Sequence, residues 1–202
     1  LSKLRFDEVN RRLAGDDTDE QARFIEGVFS VRDARGAKTA LRVVSLYLPN
    51  GNTIGTEKFT YKLAWMARLE SWARGRLELE EPMVVAGDYN VISQPLDARF
   101  PENWVNDALF QPETRQAFRN IEALGFTDAI RAVDDGPGVY TFWDYQAGAW
   151  QKNNGIRIDH LMLSPEAADR LVSASVEKHV RAWEKPSDHV PTVVDLAFLP
   201  AN

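Results

Sequence analysis

The chain has 202 residues, of which 44% are hydrophobic and 27% are charged, and its formal net charge at pH 7 is -6. This composition is typical of a globular domain with a substantial core, and the acidic balance argues against unspecific coating of nucleic acid. The sequence contains no cysteine, which excludes disulfides and thiolate metal sites, and no apolar run approaches the ~20 residues of a membrane span.

The amino-terminal part predicts a loop followed by an antiparallel hairpin. Residues 6–20 are polar and are interpreted as a loop. Residues 21–31 and 41–47 contain alternating apolar side chains and predict two strands, which a turn at residues 33–36 connects.

A long helix and a buried strand come next. Residues 56–80 predict a helix that Thr56 can cap, because apolar residues recur at spacings of three and four. We expect this apolar stripe to belong to the core: Phe59, Leu63, Met66, Leu69 and Trp72. Pro82 ends the helix, and residues 83–88 predict a buried strand, an order of elements that indicates an α/β fold.

The motif Gly87-Asp88-Tyr89-Asn90 follows this strand directly. If the backbone stays extended, Asp88 and Asn90 leave it on the same face, because strand side chains alternate. A carboxylate and an amide would then lie together at the carboxyl end of a buried strand, where open α/β sheets place their chemistry. The alternative interpretation is an ordinary turn, since Gly, Asp and Asn are common turn residues.

The second half of the chain predicts a long loop, a helix, a polar linker and several strands, without a domain boundary anywhere in residues 1–202. The loops and linkers are residues 92–110, 128–138 and 146–155; the helices are residues 112–124 and 165–170; the strands are residues 139–145, 156–163, 172–180 and 189–198. Long loops inside compact domains are often functional.

Three carboxylates stand in or beside predicted strands: Asp88, Asp159 and Asp188. Several acids that converge raise one another's pKa unless a cation or a histidine compensates. Oxygen ligands without thiolates suit Mg²⁺ or Mn²⁺. His189 is a candidate partner of Asp159, whereas His160 points away from Asp159 in a regular strand and is interpreted as structural. Metal-assisted hydrolysis is therefore the leading hypothesis.

The motifs together resemble a known family. The segments 87–90, 140–145 (Tyr-Thr-Phe-Trp-Asp-Tyr), 155–159 (Gly-Ile-Arg-Ile-Asp) and 187–189 (Ser-Asp-His) occur in the order seen in exonuclease III, the bacterial AP endonuclease branch of the endonuclease/exonuclease/phosphatase superfamily. Gly-Asp-x-Asn and Ser-Asp-His are shared across the superfamily, and the two middle segments resemble its DNA-repair branch.

The resemblance implies an α/β fold of the DNase I type, with two largely antiparallel sheets packed face to face and helices outside. It implies Mg²⁺-dependent incision 5′ to abasic sites and 3′-to-5′ exonuclease and end-cleaning activity on double-stranded DNA. It assigns Asp88 to the attacking water or the leaving group, Asn90 to the phosphate, and Asp159 to His189. Tyr47 matches a tyrosine near the scissile phosphate, and Asp188 matches a metal-site carboxylate.

Further residues resemble the substrate-binding surface of the family. Phe142, with Ile156 and Ile158, resembles an apolar pocket for a flipped-out abasic sugar, although Phe142 and Trp143 are equally consistent with core. Candidates for phosphate contacts, each with a solvated surface charge as the alternative, are Lys152, Arg157, Arg181 and Lys185.

The amino end departs from the family. Neither its Trp-Asn-x-Asn-like strand nor its Gln-Glu-Thr-like strand, which carries the principal metal-binding glutamate, is found, and residues 1–3 resemble the end of the following strand. We expect an incomplete fold that binds Mg²⁺ weakly and whose activity alone is impaired or absent. The alternatives are a phosphatase for small or lipid phosphoesters and a non-catalytic DNA-binding module. A cytoplasmic bacterial-type protein without a membrane or obligate protein partner is expected.

Overall fold

The computed structural model describes residues 2–33 and 35–200. Its strands are β1 (Glu8–Asn10), β2 (Phe24–Arg32), β3 (Lys38–Tyr47), β4 (Met83–Asp88), β5 (Thr127–Asp128), β6 (Asp159–Leu163), β7 (Leu171–Val176), β8 (Thr192–Leu196) and β9 (Leu199–Pro200). Its α-helices are α1 (Glu57–Leu77), α2 (Pro112–Glu122), α3 (Ala129–Val133) and α4 (Pro165–Ala168), and short 3-10 helices cover Pro95–Asp97, Pro101–Trp104 and Lys178–Ala182.

The larger sheet has the strand order β1-β2-β3-β4-β6-β5, and β9 also pairs with β2. The pairs are antiparallel except for β3 with β4, which run parallel. Because β3 and β4 are parallel neighbours, their carboxyl ends meet at one edge, and β6 begins at that edge because it runs antiparallel to β4. The end of β3, the end of β4 and the start of β6 therefore lie together.

Gly87 permits the close approach of β3 and β4. Its φ is +145°, and a Cβ atom at this position would lie 2.0 Å from the carbonyl oxygen of Leu46. No L-residue with a side chain fits there without moving the neighbouring strand. The glycine of the motif is thus required by the sheet itself.

The two faces of the larger sheet are covered by different layers. Helices α1 and α2 pack on one face, where Trp65, Met66, Leu69 and Phe118 join the buried residues of β3 and β4. The second sheet, β7 paired with β8, packs on the other face against Val84, Leu161 and Leu163. The predicted two-sheet sandwich with outer helices is confirmed. No helix in the described ranges is long and apolar enough to cross a bilayer.

The hairpin and the long helix agree with the sequence prediction. Strands β2 and β3 pair from Phe24 opposite Leu46 to Arg32 opposite Lys38; Ala34 of the predicted turn lies outside the described residues. Helix α1 begins after Thr56, but this residue forms no side-chain cap, and its hydroxyl donates to the Thr53 carbonyl instead.

Several boundaries differ from the prediction. Residues 139–145 form no strand, because Phe142 makes only single bridges, to Ile156 on one side and to His189 on the other. The predicted linker from residue 128 contains α3, which Asp128 caps by accepting from the backbone of Ile130. The predicted loop at residues 6–20 contains β1. Strand β6 starts only at Asp159, and β7 and β8 are shorter than predicted. Ser2 and Lys3 lie in no strand, and Leu1 is outside the described residues.

Candidate active site

Two carboxylates face each other where β4 ends and β6 begins. Asp88 and Asp159 are direct partners in the antiparallel register, so their side chains leave the sheet on the same side. Each side chain is 16% exposed. The backbone amide of Asp159 donates to the buried hydroxyl of Thr141, 3.2 Å away, which fixes the start of β6.

The Asp88–Asn90 pair is both a turn and a side-by-side arrangement. Asn90 has φ +48°, so the backbone is left-handed rather than extended as expected. The Asp88 carboxylate accepts from the Asn90 backbone amide at 2.8 Å and from Asn90 Nδ2 at 3.2 Å. Asn90 Nδ2 also donates to the Leu48 carbonyl, and its oxygen accepts from Asn50 Nδ2. All polar atoms of the buried Asn90 amide are therefore engaged, and they orient Asp88.

His189 completes the group from a distant part of the chain. Its Nδ1 lies 2.9 Å from Asp159 Oδ2, and its Nε2 lies 3.9 Å from Asp88 Oδ2. The His189 side chain is 30% exposed, and its ring packs edge-on against Phe142 with 5.0 Å between ring centroids. Since Asp159 engages Nδ1, the opposite ring nitrogen is left on the side of Asp88.

The local environment raises the pKa values of both Asp88 and His189. Burial, with the nearby charge of Asp159, raises the pKa of Asp88 from its ordinary value of 3.8 to about 6. Burial works against a charged His189, but the hydrogen bond and charge of Asp159, with the charges of Asp88 and Asp188, outweigh it and raise the pKa of His189. A carboxylate with a raised pKa and an imidazole that is readily protonated suit proton transfer near neutral pH.

The residues of the described ranges do not complete a metal site. They contain no group of three or more His, Cys, Asp or Glu side chains arranged around one ion position. Asp88 and Asp159 converge on the His189 imidazole, and the Asp188 carboxylate, half-buried, is 3.4 Å from the Ser187 hydroxyl. These groups by themselves do not complete a ligand set for a divalent cation, so the chemistry below is confined to the protein groups and water.

The remaining predicted residues differ in how accessible they are. Tyr47 is 51% exposed at the end of β3, with the guanidinium of Arg23 over its ring. Phe142 is partly exposed and belongs to a small apolar cluster that also contains the buried Ile156 and Ile158. Lys185 is exposed at a left-handed position with φ +48°. Ile156 and Ile158 therefore support Phe142 from below and do not reach the surface.

Two predicted DNA contacts, from Arg157 and Trp143, are wrong. Arg157 has no exposed surface and bridges Asp97 and Asp128, with atoms 2.7 Å and 2.5 Å apart. Trp143 is also fully buried, and its indole donates to Asn153. Both side chains belong to the interior.

Arg181 and Lys152, two other candidates for phosphate contacts, differ in their exposure. Arg181 is 6% exposed and donates to the Trp143 carbonyl, so its predicted phosphate contact is wrong as well. Lys152 remains exposed on its loop, where its ammonium donates to the Ala147 carbonyl.

Two buried polar groups lie beside the site, and sequence reasoning missed the first of them. Lys62 is fully buried within the apolar stripe of α1, one residue from a position assigned to the core. His160, fully buried, contacts the Val91 carbonyl through Nε2 at 2.9 Å and lies beside Asp128, in agreement with a structural role. A lysine between apolar helix positions was the available signal for the first group.

Comparison with known proteins gives a consistent result. Residues 1–189 match the Endonuclease/Exonuclease/phosphatase family. The exodeoxyribonuclease of Bacillus subtilis is 34% identical over 150 residues, covering 74% of this chain and 57% of that protein. The DNA repair nuclease APEX1 of Danio rerio is 33% identical, covering 77% of this chain and 48% of that protein. The chain thus spans about half the length of these two curated relatives.

A solved structure agrees with the sequence matches. An AP endonuclease from Archaeoglobus fulgidus superimposes with a TM-score of 0.85 at 31% identity, covering 96% of this chain and 72% of that chain.

Proposed function

Because this chain belongs to the endonuclease/exonuclease/phosphatase family, we propose that it is the catalytic region of a DNA-repair nuclease. The substrates are double-stranded DNA with abasic sites, incised on the 5′ side, and DNA 3′ ends, which are degraded or cleaned. The observation that carries this proposal is the Asp88–His189–Asp159 array, in which one partly exposed imidazole lies between two carboxylates. Its residues come from segments about 70 and 30 positions apart, so the fold has assembled them.

The array supports a direct hydrolytic reaction. A water oxygen bonds to phosphorus while the P–O3′ bond breaks, and the departing oxygen is protonated from solvent. Asp88, whose raised pKa of about 6 leaves it mostly ionised at pH 7, accepts the water proton. Asp159 fixes the His189 ring by its bond to Nδ1, so the protonated Nε2 donates to a phosphoryl oxygen as negative charge develops there.

Asn90 and Phe142 transfer no protons; they position the Asp88 carboxylate and the substrate. Asn90 holds the Asp88 carboxylate from two sides, and a phosphate contact by its amide requires exchange of the bond to Asp88. Phe142, against the His189 ring, offers an apolar surface to a sugar without a base, since such a sugar presents no base edge that needs hydrogen bonds.

We propose Mg²⁺ as the cation of this divalent-metal-dependent family, with Mn²⁺ as its alternative. The support is the chemistry of the donors, which are carboxylate oxygens without any cysteine. Since the described groups do not complete a ligand set, we expect weak binding by this chain. Isothermal titration with MgCl₂ measures this affinity, and a tight, stoichiometric site contradicts the expectation. If Mg²⁺ binding is lost in Asp188→Ala, the Asp188 carboxylate is a ligand.

The activity is tested under single-turnover conditions with protein in excess over labelled DNA. One duplex carries a tetrahydrofuran abasic analogue, and a second carries a recessed 3′ end with a terminal phosphate. We expect slow incision and 3′-end removal that fall about 10²-fold or more in His189→Asn and are unchanged in His179→Asn, which alters an exposed histidine. Hydrolysis of inositol or sphingolipid phosphates without DNA cleavage supports the phosphatase alternative. DNA binding without hydrolysis of either substrate supports the non-catalytic one.

A further inference from the structure

Lys62 lies in the second turn of α1 with no exposed surface. Its ammonium donates to three backbone oxygens: 3.2 Å to Pro49, 3.1 Å to Asn50 and 2.7 Å to Asn90. Lysine is almost never fully buried without partners, because a charged group loses its hydration there. The three carbonyls are these partners.

The three carbonyls belong to the two loops that form the candidate site. Pro49 and Asn50 follow β3, and Asn90 follows β4. The β3–β4 pairing ends before both loops begin, and the Lys62 ammonium joins the two loops beyond that point. An ammonium group has three N–H donors, whereas a neutral amine has two and would direct a lone pair at the third carbonyl. The arrangement thus matches the charged form.

The aliphatic part of the Lys62 side chain packs against Gly51 in the loop after β3. Gly51 has φ +87°, and a Cβ atom there would lie 2.5 Å from Lys62 Cδ. The loop after β3 therefore leaves space for this side chain at the position where the stem passes. Lys62 and Gly51 fit each other, and the fit places the ammonium beneath Asn90.

We propose that Lys62 is a positioning residue of the active site. It holds the Asn90 backbone in its left-handed conformation, and the Asn90 side chain in turn connects Asn50 to the Asp88 carboxylate. Its positive charge also favours the ionised form of Asp88. The catalytic consequence rests on the proposed nuclease function, whereas the structural consequence does not.

The absence of cysteine from the chain permits a specific chemical test. Lys62→Cys, alkylated in denaturant with 2-bromoethylamine and refolded, regains an ammonium on a stem of the original length. The same variant treated with iodoethane carries an apolar stem instead. Lys58→Cys, one turn earlier on α1 and exposed, receives both treatments as the matched control.

The readouts are the side-chain amide NMR signals of Asn50 and Asn90, the apparent pKa of Asp88 and the single-turnover rate on abasic DNA. With the ethyl group we expect shifted amide signals, a higher Asp88 pKa and at least a tenfold slower rate with DNA affinity within twofold. The aminoethyl group restores all three, and neither treatment at position 58 changes them. A folded ethyl derivative with unchanged amide signals and Asp88 titration overturns the proposal.

The unmodified protein supplies a measurement that does not depend on refolding a variant. A ¹⁵N-selective spectrum of the lysine side chains should show Lys62 as a slowly exchanging NH₃⁺ group at pH 6. Rapid exchange of this signal, like that of an exposed lysine, refutes the three-carbonyl anchorage. Absence of DNA hydrolysis by the wild-type chain counts against the proposed function alone, because the amide and ammonium signals are read without turnover.

Discussion

Replacing Asp88 by Asn should stabilise the protein at alkaline pH. The folded state holds the Asp88 pKa at about 6, against an ordinary value of 3.8, so between these values folded Asp88 keeps a proton that the unfolded chain releases. Stability therefore falls as the pH rises through this window. A shift of about two pKa units corresponds to about 3 kcal/mol, which is the full cost of ionised Asp88 above pH 6.

The Asn side chain removes this cost but loses one acceptor. It keeps the bond from the Asn90 backbone amide and loses that from Asn90 Nδ2, a loss of about 1 kcal/mol. We expect Asp88→Asn to be about 1–3 kcal/mol more stable than wild type at pH 8, with no advantage near pH 4. Urea denaturation at both pH values measures the difference.

Asp144→Asn is the matched control for this experiment. Asp144 makes the same contact, accepting from the backbone amide two residues later at 2.7 Å, but it is exposed. Its replacement should change stability by less than about 0.5 kcal/mol at either pH. If Asp88→Asn destabilises the protein equally at pH 4 and pH 8, ionisation of the buried Asp88 carboxylate does not lower the stability of the folded protein, and the reasoning is refuted.

Four further substitutions test other parts of the structure, the last of them as a matched control. Asp159→Asn should lower the pKa of His189, since it removes the hydrogen bond and the charge of Asp159 that raise it; NMR titration of the ring protons measures this, with the exposed His179 as reference. Arg157→Met should destabilise by about 3–5 kcal/mol, because it leaves Asp97 and Asp128 without their common buried partner; an effect below ~1 kcal/mol in denaturant unfolding would contradict the burial of this network. Gly87→Ala should prevent native pairing of β3 with β4 or cost several kcal/mol, since its Cβ meets the Leu46 carbonyl. Gly75→Ala, in the exposed part of α1 with no atom within 4 Å of the new Cβ, should stabilise by about 0.5–1 kcal/mol; thermal unfolding distinguishes the two signs.

The strongly patterned elements were predictable from the sequence. Helix α1 shows an apolar repeat over 21 residues, and β4 is a short apolar run ended by Gly-Asp, so local patterns were sufficient for both. The convergence of Asp88, Asn90, Asp159 and His189 followed from motif spacing together with the family resemblance. Residues 139–145 were misassigned because their aromatic residues favour strands, while their hydrogen bonds go to Ile156 and His189 one residue at a time.

The buried charges were not predictable in this way. A lysine or arginine in an amphipathic segment is normally exposed, and only the tertiary structure shows which carbonyl or carboxylate it meets. Arg157 stands two residues before Asp159 in a segment that resembles the family's substrate-binding region, so the sequence favoured a surface role. The structure places it inward because Asp97 and Asp128, from distant loops, supply its counter-charges.

Two fully buried cations anchor the chain segments on either side of the site. Arg157 precedes β6 and meets two carboxylates, which outweigh its burial and raise its pKa, so it remains charged at every accessible pH. Lys62 lies beneath β4 and meets only carbonyl oxygens, and burial lowers its pKa to about 7. The strand carrying Asp159 is therefore anchored by a permanent charge, whereas the loop carrying Asn90 is anchored by one that neutral pH begins to remove. This difference predicts that alkaline conditions loosen the backbone around Asp88 before the backbone around Asp159, and amide hydrogen exchange at residues 88–91 and 157–160 as a function of pH measures the order directly.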